Sequence, residues 1–158
     1  KTEPTQNDQW GILATKIFTD GEHYDLLKTD GGVSENQKIG FLRMNGKEIF
    51  KHAVEKLTSS LNMCLEESNI DIKNVDWVIP HQANQRIINA VSKKVNIPHD
   101  KIISTIYSHG NTSAASIPLA LDTAIKNGKI KNGNLIVLQA IGGGLSWGSL
   151  VLRIGKPS

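Results

Sequence analysis

Apolar residues alternate in some segments of the chain and recur every three or four positions in others, which predicts strands and helices respectively. Apolar runs bounded by turn signals predict five strands, within residues 10–22, 74–80, 100–107, 134–141 and 146–154. Helical spacing predicts three helices, at residues 50–69, 85–95 and 116–128. The order β-α-β-α-β-α-β-β predicts an α/β fold, a mixed five-stranded sheet packed with helices.

Two segments between these elements need separate mention. Residues 25–42 contain DGG and SEN and are predicted to be irregular. The first helix carries a single apolar stripe that should face the sheet, made of Ile49, Phe50, Ala53, Val54, Leu57, Leu61, Cys64 and Leu65.

Composition narrows the class of protein. The chain has 158 residues, 39% of them hydrophobic, which fits one globular domain with its own core. A net charge of +3 and an aromatic content of 5% argue against nucleic acid as a partner. The apolar runs are too short to cross a bilayer, and no signal peptide is visible. One cysteine excludes an internal disulfide and favours a cytoplasmic location. The chain starts at Lys1, so we expect it to be part of a longer protein.

Polar or glycine-rich turns follow three of the predicted strands. His81 comes directly after the strand 74–80, Asn111 after 100–107, and Gly142–Gly144 after 134–141. Ligands of open α/β sheets bind beyond the carboxyl ends of the strands. We therefore expect the three turns to lie at one site.

His81 and Asn111 each have two interpretations. His81 could cap nearby backbone at a helix entry, and Asn111 could satisfy the backbone of its own turn. Alternatively, both are neutral donors that converge on one substrate oxygen, as in an oxyanion-type site. The residues alone leave both interpretations open.

The glycine run does not predict a phosphate-binding loop. A dinucleotide fingerprint needs a helix after the glycines and a third glycine where Trp147 stands. What remains is a tight turn, or a peptide N–H that is presented to a ligand without side-chain obstruction.

Cys64 is the only thiol, but it lies on the apolar stripe of its helix, which favours a buried packing role over a nucleophile. The five histidines show no metal-ligand spacing, so no metal is expected.

Arg43, Lys47 and Lys51 are predicted to form one cationic row on the first helix. Arg86, Lys93 and Lys94 form a second cluster, and either set could be a solvated face or could steer an acidic partner.

Four segments together resemble one enzyme family. PHQANQRII, SHGNTSAAS and IGGGLSWGS, with 30 residues from His81 to Asn111, and RMNGKEIF at residues 43–50, are similar to the β-ketoacyl-acyl-carrier-protein synthase III enzymes of the thiolase-like superfamily. The likeness runs from about Trp10 to Ile154 and covers the carboxy-terminal half of that fold. It implies that residues 1–158 are a carboxy-terminal domain.

The resemblance implies an acyltransferase that starts type II fatty-acid synthesis from an acyl-CoA and malonyl-acyl-carrier protein. It makes His81 and Asn111 the catalytic pair for malonyl decarboxylation and Gly143 an oxyanion donor. Coenzyme A and carrier-protein thioesters would be substrates, with no further cofactor. It also implies a substrate tunnel and a carrier-protein contact at Arg86, with the tunnel lined by Met44, Gly46, Phe50, Ala83 and Asn84.

The family's nucleophilic cysteine belongs to the amino-terminal half, and Cys64 does not occupy its place. We therefore expect this chain to be inactive alone, to pack against that half through an apolar face, and to be homodimeric in the full-length protein. Two alternatives stay open: another Cys-His-Asn acyltransferase of the superfamily, or a non-catalytic module that docks acyl carrier protein or pantetheine. A cysteine at a strand-to-helix turn upstream would favour an enzyme.

Overall fold

The computed structural model describes residues 10–155, which fold around a four-stranded sheet. Its strands are β1 (Gly11–Thr19), β4 (Trp77–Pro80), β5 (Leu135–Gly142) and β6 (Ser146–Arg153). The helices are α1 (Gly46–Glu67), α2 (Gln85–Lys94), the one-turn α3 (Ile106–His109) and α4 (Ser116–Lys126). A separate two-stranded sheet pairs β2 (Leu27–Thr29) with β3 (Leu42–Met44).

The sheet is mixed, with strand order β1-β6-β5-β4. β4 pairs with β5 in parallel, and β5 pairs with β6 antiparallel through the short turn after Gly142. β6 also pairs antiparallel with β1. His81 and Gly143 therefore follow the ends of two neighbouring parallel strands, at one edge of the sheet.

Helices cover the two faces of the sheet unequally. One face packs against α1 through an apolar cluster that includes Leu61, Cys64, Val137 and Val151. On the other face, Ala120 and Ala124 of α4 pack against Ile79 and Ile136 of β4 and β5. Leu152 of β6 also packs against this cluster, but within residues 10–155 no helix covers β1 on that second face, where Ile17 is 82% exposed.

The α/β class and the three long helices are confirmed. α1 buries most of its predicted apolar stripe, but Phe50 and Val54 are only partly buried and pack in a cluster with residues of α2. The prediction of a fifth strand at residues 100–107 is wrong. That segment makes a single parallel bridge, between Ile102 and Val78, and then turns into α3. The count of five strands is therefore corrected to four in the main sheet of the described residues.

Two smaller predictions also change. The region 25–42 is not wholly irregular, because β2 and the start of β3 lie in it. Arg43 does not share a helical row with Lys47 and Lys51, because it lies in β3, before α1 begins. Its guanidinium pairs with Asp30, and Lys51 pairs with Glu48 at 2.9 Å.

Candidate active site

A cavity of about 1090 Å³ lies at the edge of the sheet where the predicted site residues meet. His81, Asn111 and Gly143 all line it, and each comes from a different connection of the fold. Strands β1 and β6 form another wall, which includes Ile17 and Leu150. The residues predicted from separate sequence motifs thus share one cavity.

His81 is fixed at the end of β4 by both backbone and side chain. Its N–H donates to the carbonyl of Gln139 on the neighbouring strand, at 2.7 Å. Its ring Nδ1 lies 2.6 Å from Ser116 Oγ. The ring is half-buried, and burial lowers its pKa from the ordinary value of 6.5. Near neutral pH the imidazole is therefore uncharged.

Asn111 lies in the loop between α3 and α4. The loop starts at Gly110, whose φ of 66° is one that residues with a Cβ rarely adopt. Asn111 Oδ1 accepts a hydrogen bond from the Ser113 backbone N–H at 3.0 Å. This bond is the turn interaction that the sequence allowed, and it occupies the oxygen of the carboxamide. Among residues 10–155 the Nδ2 group forms no hydrogen bond, so its hydrogens can donate to a ligand.

Gly143 lies in the turn that joins β5 to β6. A Cβ at this position would come within 3.0 Å of the Leu27 carbonyl oxygen, which is tighter than most side chains tolerate. Leu27 also lines the cavity. The glycine therefore lets the backbone of the two segments approach closely beside the cavity.

Four of the five residues predicted to form a tunnel line this cavity: Met44, Gly46, Ala83 and Asn84. Asn84 also caps α2, because its Oδ1 accepts from the Ile87 N–H at 2.9 Å. Phe50 is not part of the lining that the described residues form. Its ring instead lies 5.5 Å from the guanidinium of Arg86, which is exposed on α2.

Sequence reasoning assigned no hydrogen-bonding role to Gln82 or to Ser116, which it treated only as a small residue of the Asn111 loop, although both are buried beside the site. Gln82 Nε2 donates to the Pro80 carbonyl at 2.6 Å, and Gln82 Oε1 accepts from the N–H groups of Thr105 and Ile106. Gln82 thereby connects the end of β4 to the start of α3. The only signal for this in the sequence is the run of amides after His81.

Cys64 is a packing residue, as predicted. It is fully buried, and its Sγ donates to the Ser149 carbonyl at 3.1 Å. Burial raises the pKa of this thiol, which keeps it protonated and unreactive. Residues 10–155 contain no group of three metal-ligating side chains, and no helix in this range has the length and hydropathy of a membrane span.

The family model for the 3-oxoacyl-[acyl-carrier-protein] synthase III C terminal matches residues 65–154. The chain belongs to this family. The match covers the segments that carry His81, Asn111 and Gly143.

Known proteins similar to this chain have the same family name. The β-ketoacyl-[acyl-carrier-protein] synthase III of Ruegeria sp. (strain TM1040) is 54% identical over 151 residues, which are 96% of this chain and 46% of the relative. The enzyme of that name from Wolbachia pipientis subsp. Culex pipiens (strain wPip) is 55% identical over 143 residues, 90% of this chain and 45% of the relative. The chain thus spans about half the length of the curated relatives it matches.

Solved structures agree with this assignment. The 3-oxoacyl-[acyl-carrier-protein] synthase III from Aquifex aeolicus VF5 has a TM-score of 0.84 and 46% identity, over 93% of this chain and 46% of that one. The Thermus thermophilus synthase III has a TM-score of 0.87 and 30% identity, over 95% of this chain and 48% of that one. The fold described above is therefore one half of the fold of these proteins.

Proposed function

We propose that this chain is the carboxy-terminal domain of a cytoplasmic β-ketoacyl-acyl-carrier-protein synthase III. In this proposal it supplies the two neutral donors for malonyl decarboxylation. The observation that carries the proposal is the common cavity of His81 and Asn111, reached from two separate connections of the fold. Family membership and the names of the relatives support the same reaction.

The reaction begins on the missing half. An acyl group passes from an acyl-CoA to a cysteine thiolate of the amino-terminal half, and coenzyme A leaves as the thiol. Malonyl-acyl-carrier protein then enters. The bond between its α-carbon and its carboxylate breaks, carbon dioxide leaves, and the electron pair delocalises onto the thioester oxygen as an enolate.

His81 and Asn111 stabilise that enolate oxygen. Imidazole and carboxamide N–H groups donate without a formal charge, so they favour the negative oxygen of the transition state without attracting the malonyl carboxylate. The lowered pKa of His81 supports this role, because the half-buried imidazole remains neutral near pH 7. The oxygen of the Asn111 carboxamide accepts from the Ser113 N–H, and within the described part of the chain its N–H groups have no partner, so in this proposal they donate to the substrate.

The carbon–carbon bond forms next. The α-carbon attacks the acyl-cysteine carbonyl, and the resulting tetrahedral oxyanion accepts a hydrogen bond from the backbone N–H of Gly143. Collapse of this intermediate expels the cysteine thiolate and releases 3-oxoacyl-acyl-carrier protein. The close approach of Leu27 explains why a side chain is disfavoured at Gly143.

The uncovered sheet face supports the assignment of the chain as one half of a larger fold. Ile17 is 82% exposed beside the cavity, and apolar surface of this kind is normally covered by another structural unit. We assign that covering to the amino-terminal half, which would also complete the tunnel along Met44, Gly46, Ala83 and Asn84. Homodimerisation of the whole enzyme and carrier-protein contact at Arg86 belong to the same proposal.

The test is an assay of the full-length protein with acetyl-CoA and malonyl-acyl-carrier protein. The expected products are 3-oxobutanoyl-acyl-carrier protein, carbon dioxide and coenzyme A, and the separate chain should give none. If the full-length protein binds carrier protein but forms no carbon–carbon bond with any acyl-CoA, the docking-module alternative is correct. If it condenses other acyl acceptors but not malonyl-acyl-carrier protein, it is a different acyltransferase of the superfamily.

A further inference from the structure

Ser116 lies between the turn that carries His81 and the loop that carries Asn111. It is the first residue of α4, five positions after Asn111, and it is 1% exposed. Its Oγ lies 2.6 Å from His81 Nδ1 and accepts a hydrogen bond from the Gln82 backbone N–H at 3.2 Å. One buried hydroxyl thus contacts both the ring and the turn that holds the proposed catalytic histidine.

The hydrogen-bonding capacity of the hydroxyl decides the direction of the short bond. The Gln82 backbone N–H is always a donor, so it occupies one of the two lone pairs of Ser116 Oγ. Among residues 10–155, the hydroxyl has no acceptor other than His81 Nδ1. If Nδ1 carried a hydrogen and donated it to Oγ, the buried hydroxyl hydrogen would have no partner, which is unfavourable.

The arrangement that satisfies every group has Ser116 donating to an unprotonated Nδ1. In a neutral imidazole the hydrogen then resides on Nε2. Within the described part of the chain, Nε2 forms no hydrogen bond, and the ring lines the cavity. A hydrogen on Nε2 is what a donor to a substrate oxygen requires.

We propose that Ser116 is a positioning residue: its hydroxyl donates to His81 Nδ1 and fixes the imidazole as the Nε2–H tautomer, ready to donate into the cavity. The catalytic part of this inference rests on the proposed function, whereas the tautomer itself does not. Because Ser116 follows the Asn111 loop directly, the same contact also fixes that loop relative to His81.

The tautomer of the His81 ring can be measured by NMR, independently of any enzymatic activity. The full-length protein is labelled with ¹⁵N in its histidine rings, and the His81 signals are assigned by their loss in His81→Gln. We expect a protonated Nε2 and an unprotonated, hydrogen-bonded Nδ1 near pH 7.5, about one unit above the usual histidine pKa. A hydrogen on Nδ1 of the unsubstituted protein would overturn the proposal.

Substitution of Ser116 tests whether its hydroxyl is what fixes the His81 tautomer. Ser116→Ala should mix the two tautomers and slow malonyl decarboxylation roughly 10- to 100-fold, the range seen when metal-bound histidines lose their orienting partners. Acylation of the nucleophilic cysteine should not change. Ser116→Thr keeps a hydroxyl at the same position and should retain both the tautomer and most of the activity.

The matched control is Ser92→Ala on α2. It removes another buried hydroxyl, which donates a hydrogen bond to the Ile97 carbonyl at 2.8 Å. In this variant the His81 tautomer and the rate of malonyl decarboxylation should match those of the parent protein. An unchanged His81 tautomer in a folded Ser116→Ala protein would refute the inference, and so would loss of the tautomer in Ser116→Thr. If the tautomer behaves as expected but the parent protein does not decarboxylate malonyl thioester, the proposed function is wrong and the positioning role of Ser116 remains.

Discussion

The side-chain oxygen of Gln82 accepts a hydrogen bond from the Thr105 backbone N–H at 2.9 Å. This contact joins the turn that carries His81 to the segment that leads into α3 and the Asn111 loop. Gln82 is fully buried, and its Nε2 donates back to the Pro80 carbonyl at 2.6 Å. The separation of the two proposed catalytic side chains therefore depends on this buried carboxamide as well as on the Ser116 contact.

Gln82→Glu should destabilise the full-length protein by about 3 kcal/mol or more, because it removes the buried donor and leaves a carboxyl group facing the Pro80 carbonyl. The neighbouring Gln85→Glu is the control. Gln85 is only half-buried and lies in the first turn of α2, where a carboxylate is favourable, so we expect a change of less than about 1 kcal/mol. Denaturant unfolding measures both, and equal stability of the two variants would contradict the role of Gln82.

His81→Ala and Asn111→Ala should each slow malonyl decarboxylation roughly 10²–10³-fold, the usual effect of removing one oxyanion donor. Acylation of the nucleophilic cysteine should remain close to the parental rate, since the proposed mechanism uses both residues only in the second half-reaction. Carbon dioxide release and cysteine acylation are measured separately. Asn89→Ala, on the exposed side of α2, is the control and should leave both rates unchanged. Decarboxylation at the parental rate in either active-site variant would remove that residue from the proposed mechanism.

The lowered pKa of His81 predicts a pH dependence of stability. Burial makes the folded protein bind the His81 proton less readily than the unfolded chain does. Between the depressed folded value and 6.5 the unfolded state holds more protons, so the unfolding free energy should rise with pH in this window and level off above it. Unfolding curves of the parent and His81→Gln, compared from about pH 5 to about pH 8, isolate this contribution. A parental curve that instead falls with pH relative to the variant would mean that His81 is stabilised as a cation.

The exposed face of β1 gives a test of the proposed amino-terminal half. In the full-length protein Ile17→Lys should lower the unfolding free energy by about 3 kcal/mol or more, because it would bury an unpaired charge between the halves. Ile125→Lys on α4 is the control, since Ile125 is 47% exposed and does not line the cavity. Near-equal stability of the two variants would show that no other unit covers Ile17.

Arg86→Glu should reduce turnover of malonyl-acyl-carrier protein at least about tenfold at low salt, while turnover of a small malonyl thioester changes little. Arg86 is exposed on α2, two positions after Asn84, which lines the cavity, and the proposal has an acidic carrier approach there. Lys126→Glu, which reverses a charge on α4 that pairs with Asp122, is the control. Equal losses on both substrates in Arg86→Glu would indicate a folding defect, since its contact with Phe50 is also altered.

The segment 100–107 shows where sequence patterns fail. Its alternation predicts a strand, and Ile102 and Ile103 are indeed buried. The ladder ends after the contacts with Val78 because the Gln82 carboxamide binds the next free N–H groups, of Thr105 and Ile106, and the chain turns into α3. The local pattern of apolar residues cannot predict this, because the Gln82 side chain, 23 positions earlier in the chain, takes the place of a neighbouring strand as the hydrogen-bond partner of Thr105.

The sequence by itself determined the α/β class, the bounds of the long helices to within a few residues, the buried role of Cys64 and the identity of His81, Asn111 and Gly143 as candidates. These follow from periodicity, turn chemistry and motif spacing, all of which are local. Only the tertiary structure decided that Arg43 pairs with Asp30 in β3, that Phe50 lies beneath Arg86, and that Ser116 contacts the ring of His81. Such contacts join residues that are distant along the chain, and their geometry is fixed by how the helices pack on the sheet.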